Sequence, residues 1–152
     1  MSDSFKIQRH NARIIVLQKL FERTFQTSEF PRNNMPAFPA EELKQENDIR
    51  DFDSSFMKKL FDGVLKYQKI LDKAITHLAP EWPLENIGKI DLQILRIAIL
   101  EGFILKLTPE IVAIDEAIEL AKEFSNDQSR KFVNGVLGNL IANKAKFTYL
   151  KS

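Results

Sequence analysis

The stretch SRKFVNGVLGNLIAN, Ser129 to Asn143, decides how the chain is read. Phe132, Val133, Val136, Leu137, Leu140 and Ile141 recur at the spacing that gathers them on one broad face of an α-helix. Ser129 is in place to act as its N-cap. Working outward, Thr108 stands directly before Pro109 and Glu110: a capping hydroxyl, a proline whose missing N–H costs nothing, and an acid at the positive helix end. Ile111, Ile114, Ile118, Ala121 and Phe124 then recur on one side. The joint from Ser125 to Gln128 is short enough to make the two helices antiparallel neighbours. The C-terminal half therefore reads as a helical packing unit.

Further upstream, residues 90–105 form a helix that is apolar all round apart from Arg96 and Glu101, the pattern of the most buried helix in a fold. Arg96 is expected to tie helices together through Asp91, Asp115 or Glu116. Pro80 and Pro83 bracket Trp82 and break the preceding helix, which Ser54 or Ser55 caps and which extends to about Leu78. In that helix Phe56, Leu60, Phe61, Val64, Tyr67, Ile70, Leu71, Ala74, Ile75 and Leu78 form a stripe with the lysines largely off it. Trp82 is read as a core anchor at the join between two halves. The first helix covers about Phe5 to Thr24, and Arg9 and Arg13, four apart on it, point the same way, with His10 at their edge. Pro31, Pro36, Pro39, Asn33 and Asn34 make an irregular connection, and Ala40 to Glu46 a short helix. No alternating β-branched runs joined by hairpin dipeptides compete with this all-α reading.

The 152 residues suffice for one domain, divided at about residue 80 into two packed halves. Zero cysteines excludes disulfides and thiolate metal sites, and His10 and His77 have no helical partner histidine, so no metal is expected. Gly135 and Gly138 lie inside a helix and form no phosphate loop, so no nucleotide cofactor is expected either. Without a signal peptide or a membrane-length apolar run, the expected location is the cytoplasm, with no membrane contact. The row Asp115, Glu116, Glu119 and Glu123 reads as a solvated helix edge, which leaves no catalytic residue to name.

The formal charge of +1 hides blocks: residues 1–25 carry a net +3, 26–57 a net −4, 58–80 a net +3 and 81–127 a net −6, while everything charged after residue 127 is basic. Such alternation permits one basic and one acidic face, and hence two unlike partners.

Three segments also carry a resemblance. IDLQILRIAILE (90–101), then TP at 108–109 with IDEAIELAKEFS (114–125), then SRKFVNGVL (129–137) look like the signature of the NusB family of bacterial transcription antitermination factors. Ala12-Arg13 followed by VLQKLF (16–21) resembles the family's first helix. The resemblance implies an all-helical fold of about seven helices in two subdomains. It also implies a non-enzyme that binds boxA-like single-stranded RNA together with ribosomal protein NusE, in an antitermination complex on RNA polymerase that serves ribosomal RNA synthesis. By position the RNA-contacting role falls on Arg9 and Arg13, with Lys6, His10 and Asn11 beside them. His10 and Asn11 intervene between the two arginines, which motivates the alternative of a protein-interaction module of the same fold with weakened RNA binding. A related domain also opens certain ribosomal RNA cytosine methyltransferases, but with no cysteine nucleophile this polypeptide is expected to catalyse nothing. The apolar helix positions permit either a monomer or a homodimer.

In KFVNGVL, Gly135 within a helix implies close helix–helix approach, and Asn134 a hydrogen bond across the crossing.

Overall fold

The computed structural model describes residues 3–27 and 51–151. Over these residues the chain is all-α. Six α-helices are present: α1 (Asp3–Thr27), α2 (Ser54–Lys66), α3 (Gln68–Leu78), α4 (Lys89–Ile99), α5 (Glu110–Phe124) and α6 (Asp127–Ala142). A π-helical turn, Leu100–Ile104, prolongs α4, and 3-10 turns cover Leu84–Asn86 and Lys144–Phe147. The connection after Thr27 and the short helix expected at Ala40 to Glu46 lie outside the described residues. The chain divides into two compact units, Met1–Asp62 and Gly63–Ser152.

In the first unit, Ala12, Ile15, Val16, Leu17 and Leu20 of α1 and Phe56 and Leu60 of α2 are buried. The N-cap of α2 is Asp53 and not either serine: its Oδ1 accepts from the Phe56 N–H at 3.0 Å. Aspartate satisfies a free first-turn amide and places its charge at the positive helix end. The Asp53 N–H in turn donates to the Gln8 carbonyl of α1 at 3.1 Å.

In the second unit, the helix expected to run unbroken to Leu78 is divided at Tyr67, although backbone bonds from Tyr67 to Gly63 and from Leu71 to Tyr67, both 2.9 Å, carry the helical direction through. The unit is built around α4, as its sequence implies: residues 93–95 and 97–104 are buried. Arg96 bonds neither Asp91 nor the α5 acids. It reaches Asp72 of α3 in a two-point pair, Nε to Oδ1 at 2.8 Å and Nη2 to Oδ2 at 2.9 Å, so the tying role holds with a different partner. The π turn admits Gly102 against α5, where an added Cβ would lie 2.9 Å from the Ala113 Cβ and 3.4 Å from the Glu110 Cα.

Helices α5 and α6 pack side by side, as their short joint requires. The buried stripe of α5 is Ala113, Ile114, Ala117, Leu120 and Ala121, rotated from the expected one, so that Ile111 is exposed. Asn126, and not Ser129, caps α6: its side chain accepts from the Ser129 N–H at 2.9 Å. Thr108 does not cap α5.

Gly135 does not mark a crossing. Nothing lies within 4 Å of a Cβ built there, and Asn134 beside it is exposed. The amide that reaches across is Asn139, whose Nδ2 donates to the Leu78 carbonyl at the end of α3 at 3.2 Å. An exposed glycine in mid-helix only weakens the helix, so Gly135→Ala should stabilise the protein by about 0.5–1 kcal/mol. Thermal melting should rise by roughly 1–4 °C; a fall would show that the site is more crowded than its geometry indicates.

Candidate nucleic-acid interface

The five α1 residues expected to meet RNA are held very differently. Phe56, buried at the start of α2, is the platform: the Arg9 guanidinium lies 4.3 Å and that of Arg13 5.0 Å from its ring centre. Arg9 also lies 4.5 Å from the Phe5 ring. The four-residue spacing therefore does bring both arginines to one side, but Arg13 is only 3% exposed. A planar, weakly hydrated guanidinium is the cation best suited to such a stack, and a lysine would not replace it. Arg9 and His10 are half-buried. Asn11 is half-buried and donates to the Asp51 carbonyl at 2.8 Å, while Gln8 donates to the Asp51 carboxylate at 2.6 Å. Of the five, Lys6 is the exposed one.

The second unit holds a site that the sequence did not reveal. Trp82 is 47% exposed, so it is not a core anchor. The two prolines around it hold the chain out of the helical period and turn the indole outward, where it meets Phe132 of α6 edge to face at 6.2 Å. The two rings border a recess of about 280 Å³ whose wall includes Gly88, Asp91, Asn126 and Ser129.

Asp91 is the polar centre of this recess. Its Oδ2 accepts from the buried Ser129 hydroxyl at 3.0 Å, and the Ser125 and Ser129 hydroxyls are 2.6 Å apart. Its Oδ1 is buried without a hydrogen-bond partner. Burial raises the Asp91 pKa above the ordinary carboxylate value, with the Ser129 hydrogen bond acting in the opposite direction. A carboxylate oxygen lacking a donor, beside an exposed indole, is suited to a flat group with N–H donors on its edge. Nucleobases and guanidinium groups have that form.

By sequence alone Trp82 and Phe132 read as core, Asp91 as a partner of Arg96 and Ser129 as a cap. The available signal was the Pro-x-Trp-Pro arrangement, which is incompatible with a helical core position.

Residues 10–142 match the model of the NusB family. The chain belongs to the NusB family. It is 39% identical over 140 residues to the transcription antitermination protein NusB of Enterococcus faecalis, covering 90% of each chain. It is 42% identical over 139 residues to that of Ligilactobacillus salivarius, covering 89% of this chain and 98% of the relative. Among solved structures, T. maritima NusB is similar, with a TM-score of 0.68, 29% identity and coverage of 91% of this chain and 96% of the other. A chain from the crystal structure of antitermination factors NusB and NusE in complex with dsRNA shares the fold, with a TM-score of 0.68 at 23% identity, covering 88% and 95%. NusB membership places the chain among non-enzymatic factors of transcription antitermination. Among the described residues, no helix is long and apolar enough to cross a membrane.

Proposed function

We propose that this NusB-family chain is an RNA-binding adaptor: it takes boxA-like single-stranded RNA, joins ribosomal protein NusE, and with it enters an antitermination complex on RNA polymerase that supports ribosomal RNA transcription. The observation that carries the RNA reading is the recess at Trp82, where an outward-facing indole stands beside a carboxylate oxygen without a donor. Sequence-specific proteins recognise single-stranded RNA by stacking splayed bases on aromatic rings and bonding their polar edges. Here Trp82 stacks one base, with Phe132 held edge to face against the indole, and Asp91 accepts from the base's amino or imino hydrogens.

On α1, Lys6 supplies a phosphate contact and Arg9, His10 and Asn11 border it. Arg13 acts through Phe56, by fixing the surface on which Arg9 rests. Each single-strand phosphate contact adds only about 0.7 to the salt slope of affinity, so a few contacts hold RNA weakly near physiological salt. NusE is therefore expected to tighten binding. One specific observation favours the alternative of a protein-interaction module with weak RNA affinity: the deep burial of Arg13, which takes one expected cation away from solvent.

Trp82 is the sole tryptophan of the chain, so its fluorescence reports this recess alone. Titration with a boxA-like oligoribonucleotide should quench it. Stacking is worth about 1–3 kcal/mol per base, so Trp82→Ala should weaken binding, followed by anisotropy with NusE present, by roughly 5- to 150-fold. Lys6→Gln should lower the salt slope by about 0.7. Unchanged fluorescence at saturating RNA would remove the recess from the interface, and no RNA binding with or without NusE would leave the protein-interaction reading.

A further inference from the structure

A second polar recess, of about 380 Å³, opens where α4 ends and α5 begins, and no residue of the RNA reading lines it. Its wall includes Gly102, Lys106, Thr108, Pro109, Glu110 and Lys144. Thr108 was expected to cap α5 and does not; it is 7% exposed, and its Oγ1 is buried with no hydrogen-bond partner. A buried hydroxyl in that state loses its hydration without compensation, unless a ligand accepts from it.

Three further features converge on the same place. Helix α5 is fifteen residues long, and its earliest amides have no acceptor within the helix and present its positive dipole end. The chain reaches α5 through Lys106, which holds the left-handed conformation at φ 52°. Lys144 lies 2.9 Å from Glu110 Oε1. An adjoining recess of about 180 Å³ shares Lys106, Glu110 and Lys144 and adds Lys151. Together the two recesses are lined by three ammonium groups and one carboxylate, leaving a positive surplus beside a hydroxyl ready to donate.

We propose that the start of α5 is a binding site for a phosphate-class oxyanion, held by the Thr108 hydroxyl and the first α5 amides, with Lys106 and Lys144 supplying charge. Glu110 draws Lys144 toward the recess and limits the site to an anion of low charge, such as a phosphodiester or dihydrogen phosphate. The anion comes either from free inorganic phosphate or from the backbone of RNA.

Two titrations of the ¹⁵N-labelled full chain test this, one with inorganic phosphate at constant ionic strength and one with a short oligoribonucleotide. The amides of Thr108, Glu110, Ile111 and Val112 are the reporters. Saturable shifts on phosphate are expected, with Thr108→Val weakening the affinity about tenfold, the order expected for one hydrogen bond to a charged group. Thr108→Val keeps the side-chain shape and removes the unpartnered hydroxyl, so its melting temperature should not fall, and folding does not obscure the comparison. Shifts at these amides on RNA but not on phosphate would assign the site to the phosphodiester backbone. Shifts that grow linearly without saturation for both ligands, or equal affinity in Thr108→Val, would overturn the proposal. Trp82 fluorescence follows the other recess separately, so the two assignments fail independently.

Discussion

Gly102→Ala should lower the melting temperature by roughly 2–12 °C, and Gly102→Val should leave little folded protein. The atoms that a Cβ would meet, Ala113 Cβ at 2.9 Å and Glu110 Cα at 3.4 Å, belong to the backbone or are fixed to it, so neither can turn aside. Forcing one methyl group into such a contact costs about 1–3 kcal/mol, and in a chain of this size each kcal/mol is worth about 2–4 °C. Gly63 provides the contrast. Its added Cβ would lie closer still, 2.7 Å from a neighbour, but that neighbour is Leu100 Cδ2, the far end of a flexible side chain. Gly63→Ala should therefore be the milder change. Calorimetric melting of both variants checks the order, and a Gly102→Ala protein melting within 1 °C of the parent would contradict the close approach.

Removing either partner of the Arg96–Asp72 pair should be the other large loss. The two hydrogen bonds join α4 to α3, and the side chains are 11% and 21% exposed. Arg96→Ala or Asp72→Ala strands the remaining charge in a poorly hydrated place, at a cost of about 2–4 kcal/mol, somewhat below the figure for a fully buried pair because solvent still screens this one. The paired replacement Arg96→Met with Asp72→Leu removes both charges and should recover much of the loss. Urea unfolding of the singles and the double gives the coupling directly, and strictly additive losses would mean that the two groups do not support each other.

The helical class and most of the buried face were legible because periodicity records burial with little ambiguity: Val133, Val136, Leu137 and Leu140 lie inside, as do Leu60, Val64, Leu71 and Ile75. Caps were harder to read. Asp53, Asn126, Ser54 and Ser129 are all chemically competent, and the choice between neighbours a few residues apart is made by tertiary contacts, such as the use of Ser129 by Asp91. The two kinds of glycine show the same limit. Gly102 and Gly135 each interrupt a helical period, yet one is pressed against α5 and the other faces open space. Trp82 was misplaced because size and apolarity argue for burial, whereas its flanking prolines set its position. Asp91 could not be singled out, since its distinguishing property, an oxygen with no donor, arises only after folding.

The stack of Arg9 and Arg13 on Phe56 bears on how genetic data from this protein would be interpreted. A codon change at position 13 removes a cation enclosed by its neighbours, so the cell would lose the polypeptide to proteolysis before any defect in transcript handling could be scored. Alleles at position 6 would spare abundance and alter only the phenotype of interest. Immunoblotting beside the reporter assay would sort the two, and a collection of mutants ranked by reporter output alone would credit Arg13 with a contact that belongs to Lys6.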